Sequence, residues 1–154
     1  MVENPDITIA CEGSAGFTIR GHIPDKDGIL TCMLVAEMVA ASGKGLCELL
    51  DELYREVGRL VFREERIPVQ IDRERFIESL KGNLPDRLGG KKVMEIDRTD
   101  GFKFILEDGS WIGLRPSGTE PLVRCYMEAP SEEEIETIHR DAEKLIARLS
   151  KGVE

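Results

Sequence analysis

The residues best equipped for chemistry sit in one stretch, Leu114-Arg115-Pro116-Ser117-Gly118-Thr119-Glu120-Pro121. Two prolines stiffen its ends, and two hydroxyls and a glycine lie between them. Gly118 lets backbone come close to a ligand, and successive N–H groups there can form an anion-binding nest. Ser117 and Thr119 add hydroxyl donors. Arg115 can hold a phosphate through two parallel hydrogen bonds, and Arg124, on the element that follows, can add a second positive charge. Glu120 would repel a phosphate if it pointed inward, so it is assigned to orienting an arginine or a backbone N–H. The pattern therefore points to recognition of a phosphate group. A rigid, decorated turn between two strands accounts for the same residues equally well.

Other candidates are weaker. Cys11-Glu12-Gly13-Ser14-Ala15-Gly16-Phe17 reads, from its residues alone, as a glycine-rich strand-to-helix loop. Arg20 and His22 lie near it and read as a surface arginine and a loop-packing histidine. Asp25 and Asp27 flank a lysine near a helix start, which makes them cap and surface residues and not a metal site. His139 falls within the last helix and reads as structural. Cys11, Cys32, Cys47 and Cys125 form no C-x-x-C pair, so neither a zinc knuckle nor a thioredoxin-like motif is expected, and free thiols of a reducing compartment are.

The elements that must position these residues follow from periodicity. Asp6 to Cys11 is a short β-branched strand. A helix starts at Asp27 or Gly28 and runs to about Ala41, and Ser42-Gly43-Lys44-Gly45 stops it. A second helix to Val57 carries the stripe Leu46, Leu49, Leu50, Leu53 and Val57. One strand with two helices cannot complete a sheet, so residues 1–58 read as the tail of a larger α/β domain, exposing apolar surface. Residues 59–68 read as an extended linker. Residues 69–154 read as an α+β domain: a helix at 72–80, strands at 92–97, 102–106, 110–115 and 122–127, and a last helix. Ser131 and Glu134 are expected to form a capping box there, ahead of a stripe of Ile135, Ile138, Ala142, Leu145 and Leu149. The order α-β-β-β-β-α predicts an antiparallel sheet with helices on one face.

Of the 154 residues, 41% are hydrophobic and 33% charged, which predicts a soluble, cored protein. The net charge of -9 argues against nucleic acid and against anionic membranes as partners. No apolar run approaches the roughly 18–20 residues that span a bilayer, and the first six residues lack the basic start of a signal peptide. A cytoplasmic location is the expectation.

R-P-S-G-T-E-P, followed by a strand holding an arginine, closely resembles the phosphate-binding loop in the last domain of the α-D-phosphohexomutases. E-G-S-A-G-F with the following G-H-I-P-D-K-D-G-I resembles the sugar-binding loop of that superfamily's third domain. The resemblance covers nearly the whole chain and implies the C-terminal portion of such an enzyme: the end of domain 3 (1–58) and a TBP-like domain 4 (69–154). It implies that Arg115, Ser117, Gly118 and Thr119, with Arg124, hold the non-reacting phosphate of a hexose phosphate. Glu12 and Ser14 would read sugar hydroxyls. The 59–68 linker would let the last domain open and close. Members of the superfamily also use a phosphoserine loop like T-A-S-H-N-P and a Mg2+ loop like D-G-D-G-D-R. Neither motif occurs here, so no catalytic or metal-binding residue is assigned, Mg2+ is expected only through the absent loop, and the chain alone is expected to be inactive. It would act as a fragment of a longer enzyme, as half of a split mutase with a partner chain, or as a free-standing phosphosugar-binding module, with self-association through its apolar surface as a further possibility.

Overall fold

The computed structural model describes residues 7–12, 16–69 and 72–151, and divides into two compact units, 1–58 and 59–154.

In the first unit, β1 (Ile9–Cys11) and β2 (Phe17–Ile19) form an antiparallel pair with Ala10 opposite Thr18. The single strand expected from the sequence is thus a hairpin. Helix α1 (Gly28–Ser42) begins where Asp27, as N-cap, accepts hydrogen bonds from the N–H groups of Ile29 and Leu30, both at 3.0 Å. It ends at Gly43, whose φ of 66° supplies the left-handed stop. Helix α2 (Leu46–Val57) follows, with the Glu48 carboxylate accepting the Gly45 N–H at 2.8 Å. Neither helix buries a side chain fully. Ile29 is 77% exposed, and Leu46, Leu50, Leu53 and Val57 of the α2 stripe are also exposed. An apolar stripe belongs against a partner surface, and none is supplied among the described residues of this unit. No single described helix is long and apolar enough to cross a membrane.

The second unit is α+β. Its strands are β3 (Val61–Pro68), β4 (Arg87–Leu88), β5 (Lys91–Asp97), β6 (Phe102–Leu106), β7 (Trp111–Pro116) and β8 (Leu122–Ala129). Helix α3 (Arg73–Gly82) precedes β4, and α4 (Glu132–Lys151) closes the chain. The sheet order is β3-β8-β7-β6-β5-β4, antiparallel throughout. Burial alternates strictly along β6 and β8, as a sheet covered on one face requires. The inner face presents Phe102, Phe104, Leu106, Ile112, Leu114, Val123, Cys125 and Met127 to Phe76 and Leu80 of α3 and to Ile135, Ile138, Ala142 and Ile146 of α4.

The structure corrects three expectations. Residues 61–68 are not a linker: they form β3, paired with β8 from Val61↔Ala129 to Pro68↔Leu122. The inner face of β3 carries Arg63 and Glu65 between Val61 and Ile67, so no hydrophobic alternation marks it. Arg63 is neutralised by Glu136 and Glu132 of α4 at 2.8 and 2.7 Å, which raises the guanidinium pKa. Pro68 is tolerated because β3 is an edge strand. The sheet therefore has six strands where the sequence predicted four. The capping box at α4 is half made. The Glu134 N–H donates to Ser131 Oγ at 3.3 Å, but the Glu134 carboxylate is drawn to Lys91.

Candidate functional site

β7 and β8 are joined by residues 117–121, and their register decides what the loop displays. Arg115 lies directly opposite Arg124, and Pro116 opposite Val123. Because paired residues project from the same face, both arginines share the outer face at the mouth of the loop. The same row continues into β3, where Arg66 lies opposite Arg124. Three arginines thus stand in one cross-strand row on the outer face. Like charges in cross-strand register are destabilising unless something negative is brought among them.

The loop itself is tied by short-range bonds. The Ser117 N–H donates to the Leu122 carbonyl at 2.9 Å, and the Leu122 N–H to the Glu120 carbonyl at 2.8 Å. Ser117 Oγ accepts the N–H groups of Thr119 and Glu120 at 3.4 and 3.2 Å. Those two N–H groups therefore face the Ser117 hydroxyl. The Ser117 hydroxyl keeps its own proton for donation outward. Gly118 has no left-handed φ, and a Cβ added there would meet nothing within 4 Å. What it contributes is a bare stretch of cavity wall. From the far side, the Val69 N–H donates to the Pro121 carbonyl at 2.9 Å and ties the loop to the end of β3.

A cavity of about 370 Å³ opens against this loop, lined by Arg115, Arg124, Ser117, Gly118 and Thr119, together with Arg73 and Asp100. The five residues singled out by the sequence are brought together around it. Arg73, the first residue of α3, and Asp100, from the β5–β6 turn, were missed. Arg73 makes no ion pair among the described residues, whereas Arg115 is met by Asp100 at 3.3 Å and Arg124 by Glu120 at 3.7 Å. Glu120 thus orients an arginine, the role expected of it. A second cavity of about 500 Å³ lies between the loop and the start of α3, with Phe76 and Val69 in its wall. Its wall also carries Asp72, Glu74 and Glu120, and those carboxylates suit a phosphate less well than the arginine-rich side does.

In the first unit, Glu12 lines a smaller cavity of about 250 Å³ with Gly16, Thr18 and Lys26. Lys26 Nζ donates to its carboxylate at 3.1 Å, and the Glu12 N–H donates to the Gly16 carbonyl at 2.8 Å. Ser14 lies outside the described residues. His22 Nε2 is 2.8 Å from Asp27 Oδ2, so the histidine braces the N-cap of α1. Asp27 is held below the ordinary aspartate pKa by the Leu30 N–H and then by His22. Among the described residues no three His, Cys, Asp or Glu side chains converge as a metal site.

Comparisons with known proteins identify the family. The family model described as phosphoglucomutase/phosphomannomutase, C-terminal domain, matches residues 68–145. The one described as phosphoglucomutase/phosphomannomutase, alpha/beta/alpha domain III, matches residues 1–57. A phosphoglucomutase/phosphomannomutase of Thermococcus kodakarensis is 35% identical over 145 residues, which is 94% of this chain and 30% of the relative. A phosphoglucosamine mutase of Methanocaldococcus jannaschii is 36% identical over 127 residues, 82% of this chain and 24% of the relative. A phosphopentomutase of Thermococcus kodakarensis is 27% identical over 128 residues, 83% of this chain and 27% of the relative. The chain spans under a third of the length of these relatives. With two consecutive domain models matched and the α+β sheet in place, the chain belongs to the phosphoglucomutase/phosphomannomutase family of the phosphohexomutases and carries the C-terminal portion of its architecture.

Proposed function

We propose that this chain holds a hexose phosphate for an intramolecular phosphoryl transfer whose nucleophile lies outside these residues. The observation that carries the reading is the register pair Arg115↔Arg124, which sets two guanidinium groups at the mouth of the Ser117–Thr119 loop and on one cavity. Arg115 and Arg124 bind the non-reacting phosphate by charge, Ser117 and Thr119 by their hydroxyls, and Gly118 leaves room for it. Glu12 and Ser14 bind sugar hydroxyls, which suits a carboxylate and a hydroxyl on a small-residue loop. Holding the distal phosphate in a fixed place is a large part of such catalysis, since phosphoryl transfer depends mainly on positioning and electrostatics. The relatives are named for different sugars, so the phosphate is the shared element of recognition. Mg2+, if the reaction uses it, is held by residues other than these.

The test is calorimetric titration of glucose 1-phosphate, mannose 1-phosphate and glucosamine 6-phosphate into the full chain and into Arg115→Ala. A charge-assisted clamp predicts that the alanine variant loses about tenfold or more in affinity. Equal affinity in both proteins refutes the clamp. The same preparations should not interconvert the sugar phosphates, and robust turnover free of contaminating mutase would overturn the assignment of the chemistry to other residues.

A further inference from the structure

The turn between β5 and β6 brings the Asp100 carboxylate to the wall of the cavity beside the 117–121 loop. Asp100 Oδ1 lies 3.3 Å from Arg115 Nε, and both side chains line the cavity beside Ser117 and Thr119. The turn is held firmly on either side of Asp100. Before it, Asp97 accepts the N–H and the hydroxyl of Thr99 at 2.8 and 2.6 Å. After it, Gly101 has a φ of 104°, and a Cβ there would stand 2.6 Å from the Leu114 carbonyl oxygen. The turn therefore presses on β7 one residue before Arg115. Phe102, buried and paired with Leu114, anchors the next position.

As a structural ion pair this contact does little. The two side chains are 53% and 71% exposed, and pairs so open to water add almost nothing to stability. As part of an anion site it does a great deal, because a carboxylate on Arg115 competes directly with a phosphate for the same guanidinium. We infer that Asp100 is a resident counterion of the phosphate site. Its carboxylate engages Arg115 at Nε and shares that guanidinium's charge with an entering phosphate, so it weakens anion binding and speeds release. The inference rests on the phosphate-binding reading of the loop. It also explains how the crowded arginines are tolerated without ligand: Asp100 answers Arg115 and Glu120 answers Arg124.

The experiment is calorimetric titration of inorganic phosphate, as the dianion, into the full chain, Asp100→Asn, Asp100→Glu and the double variant Asp100→Asn with Arg115→Ala. Asp100→Asn should bind phosphate about two- to fivefold more tightly at low salt, the scale of an exposed ion pair, and the gain should vanish at high salt. Asp100→Glu should stay near the parent affinity. The gain should be absent when Arg115 is alanine, since no guanidinium is left to release. A residue that merely supports the turn gives the opposite sign, weaker binding with lower thermal stability. Unchanged or weaker binding by Asp100→Asn overturns the inference and leaves the clamp standing. An equal gain without Arg115 also overturns it. Failure of every protein, the parent included, to bind phosphate overturns both the inference and the clamp.

Discussion

Gly101→Ala tests how the site is held. Two costs apply at this position. The φ of 104° lies where an L residue is strained, a cost of about 1–2 kcal/mol. The new Cβ would also sit 2.6 Å from the Leu114 carbonyl oxygen, a backbone atom of the central strand β7 that cannot swing aside as a side chain would. Gly109, in the β6–β7 turn, separates the two. Its φ is 86° and a Cβ there meets nothing within 4 Å, so Gly109→Ala bears only the backbone term. We expect Gly109→Ala to lose about 1 kcal/mol and Gly101→Ala about 2–4 kcal/mol. Urea unfolding followed by fluorescence of Trp111, the one tryptophan of the chain, reports the second unit selectively. The midpoint should fall with the slope unchanged. Because the displaced turn carries Asp100, the phosphate affinity of Gly101→Ala should also differ from the parent, and that of Gly109→Ala should not. Equal destabilisation by the two substitutions would refute the claim that Gly101 is required by its approach to Leu114.

Two further outcomes concern titrating groups. Burial, followed by the charges of Glu65 and Glu143, pushes the Cys125 thiol up to about 12, so at mildly alkaline pH it stays protonated and unreactive. Cys11, Cys32 and Cys47 are exposed. A thiol-disulfide exchange assay should therefore release one thiol's worth of signal from Cys125 only after denaturant is added, and immediate reaction of all four would contradict its burial. Lys91 joins Asp108 on the β6–β7 turn to Glu134 on α4, with Asp108 at 2.6 Å. Burial pulls the Lys91 pKa down, but its bonds to Asp108 and Glu134 outweigh this and raise it. Burial pushes the Asp108 pKa up, but bonds from Lys91 and Ser110 outweigh that and lower it. Lys91→Met should cost about 1–2 kcal/mol at neutral pH in urea unfolding. Since the Asp108 pKa is depressed on folding, its contribution is full above the unfolded aspartate value and is lost as pH falls through the folded one. The difference between parent and variant should accordingly narrow in acid, and a difference that grows there would refute the assignment.

The parts of this protein legible in its sequence are those written in neighbouring residues. Helix α4 announces itself through Ser131, three acidic residues in its first turn and a stripe from Ile135 to Leu149, and all five stripe residues are buried. Strands β6, β7 and β8 are short runs rich in apolar residues whose burial alternates, and the Glu107–Gly109 turn marks the β6–β7 hairpin. The proline-bounded loop with its arginine, hydroxyls and glycine was legible for the same reason, because its chemistry is local. β3 was not, since its inner face carries Arg63, which is matched by α4 more than sixty residues away in sequence. β4, at two residues, is too short to show a period.

What the tertiary structure alone decided is adjacency. Strand register placed Arg66 beside Arg124 and Arg124 beside Arg115, brought Arg73 to the loop cavity from the start of α3, and set Asp100 against Arg115. The sequence by itself determined which residues can bind an anion and which segments form helices and strands, because propensity, capping and periodicity act within a few residues. It left open which charges meet, because hydrogen-bonded register joins residues far apart along the chain, and a shift of one residue would turn every side chain of a strand to the opposite face.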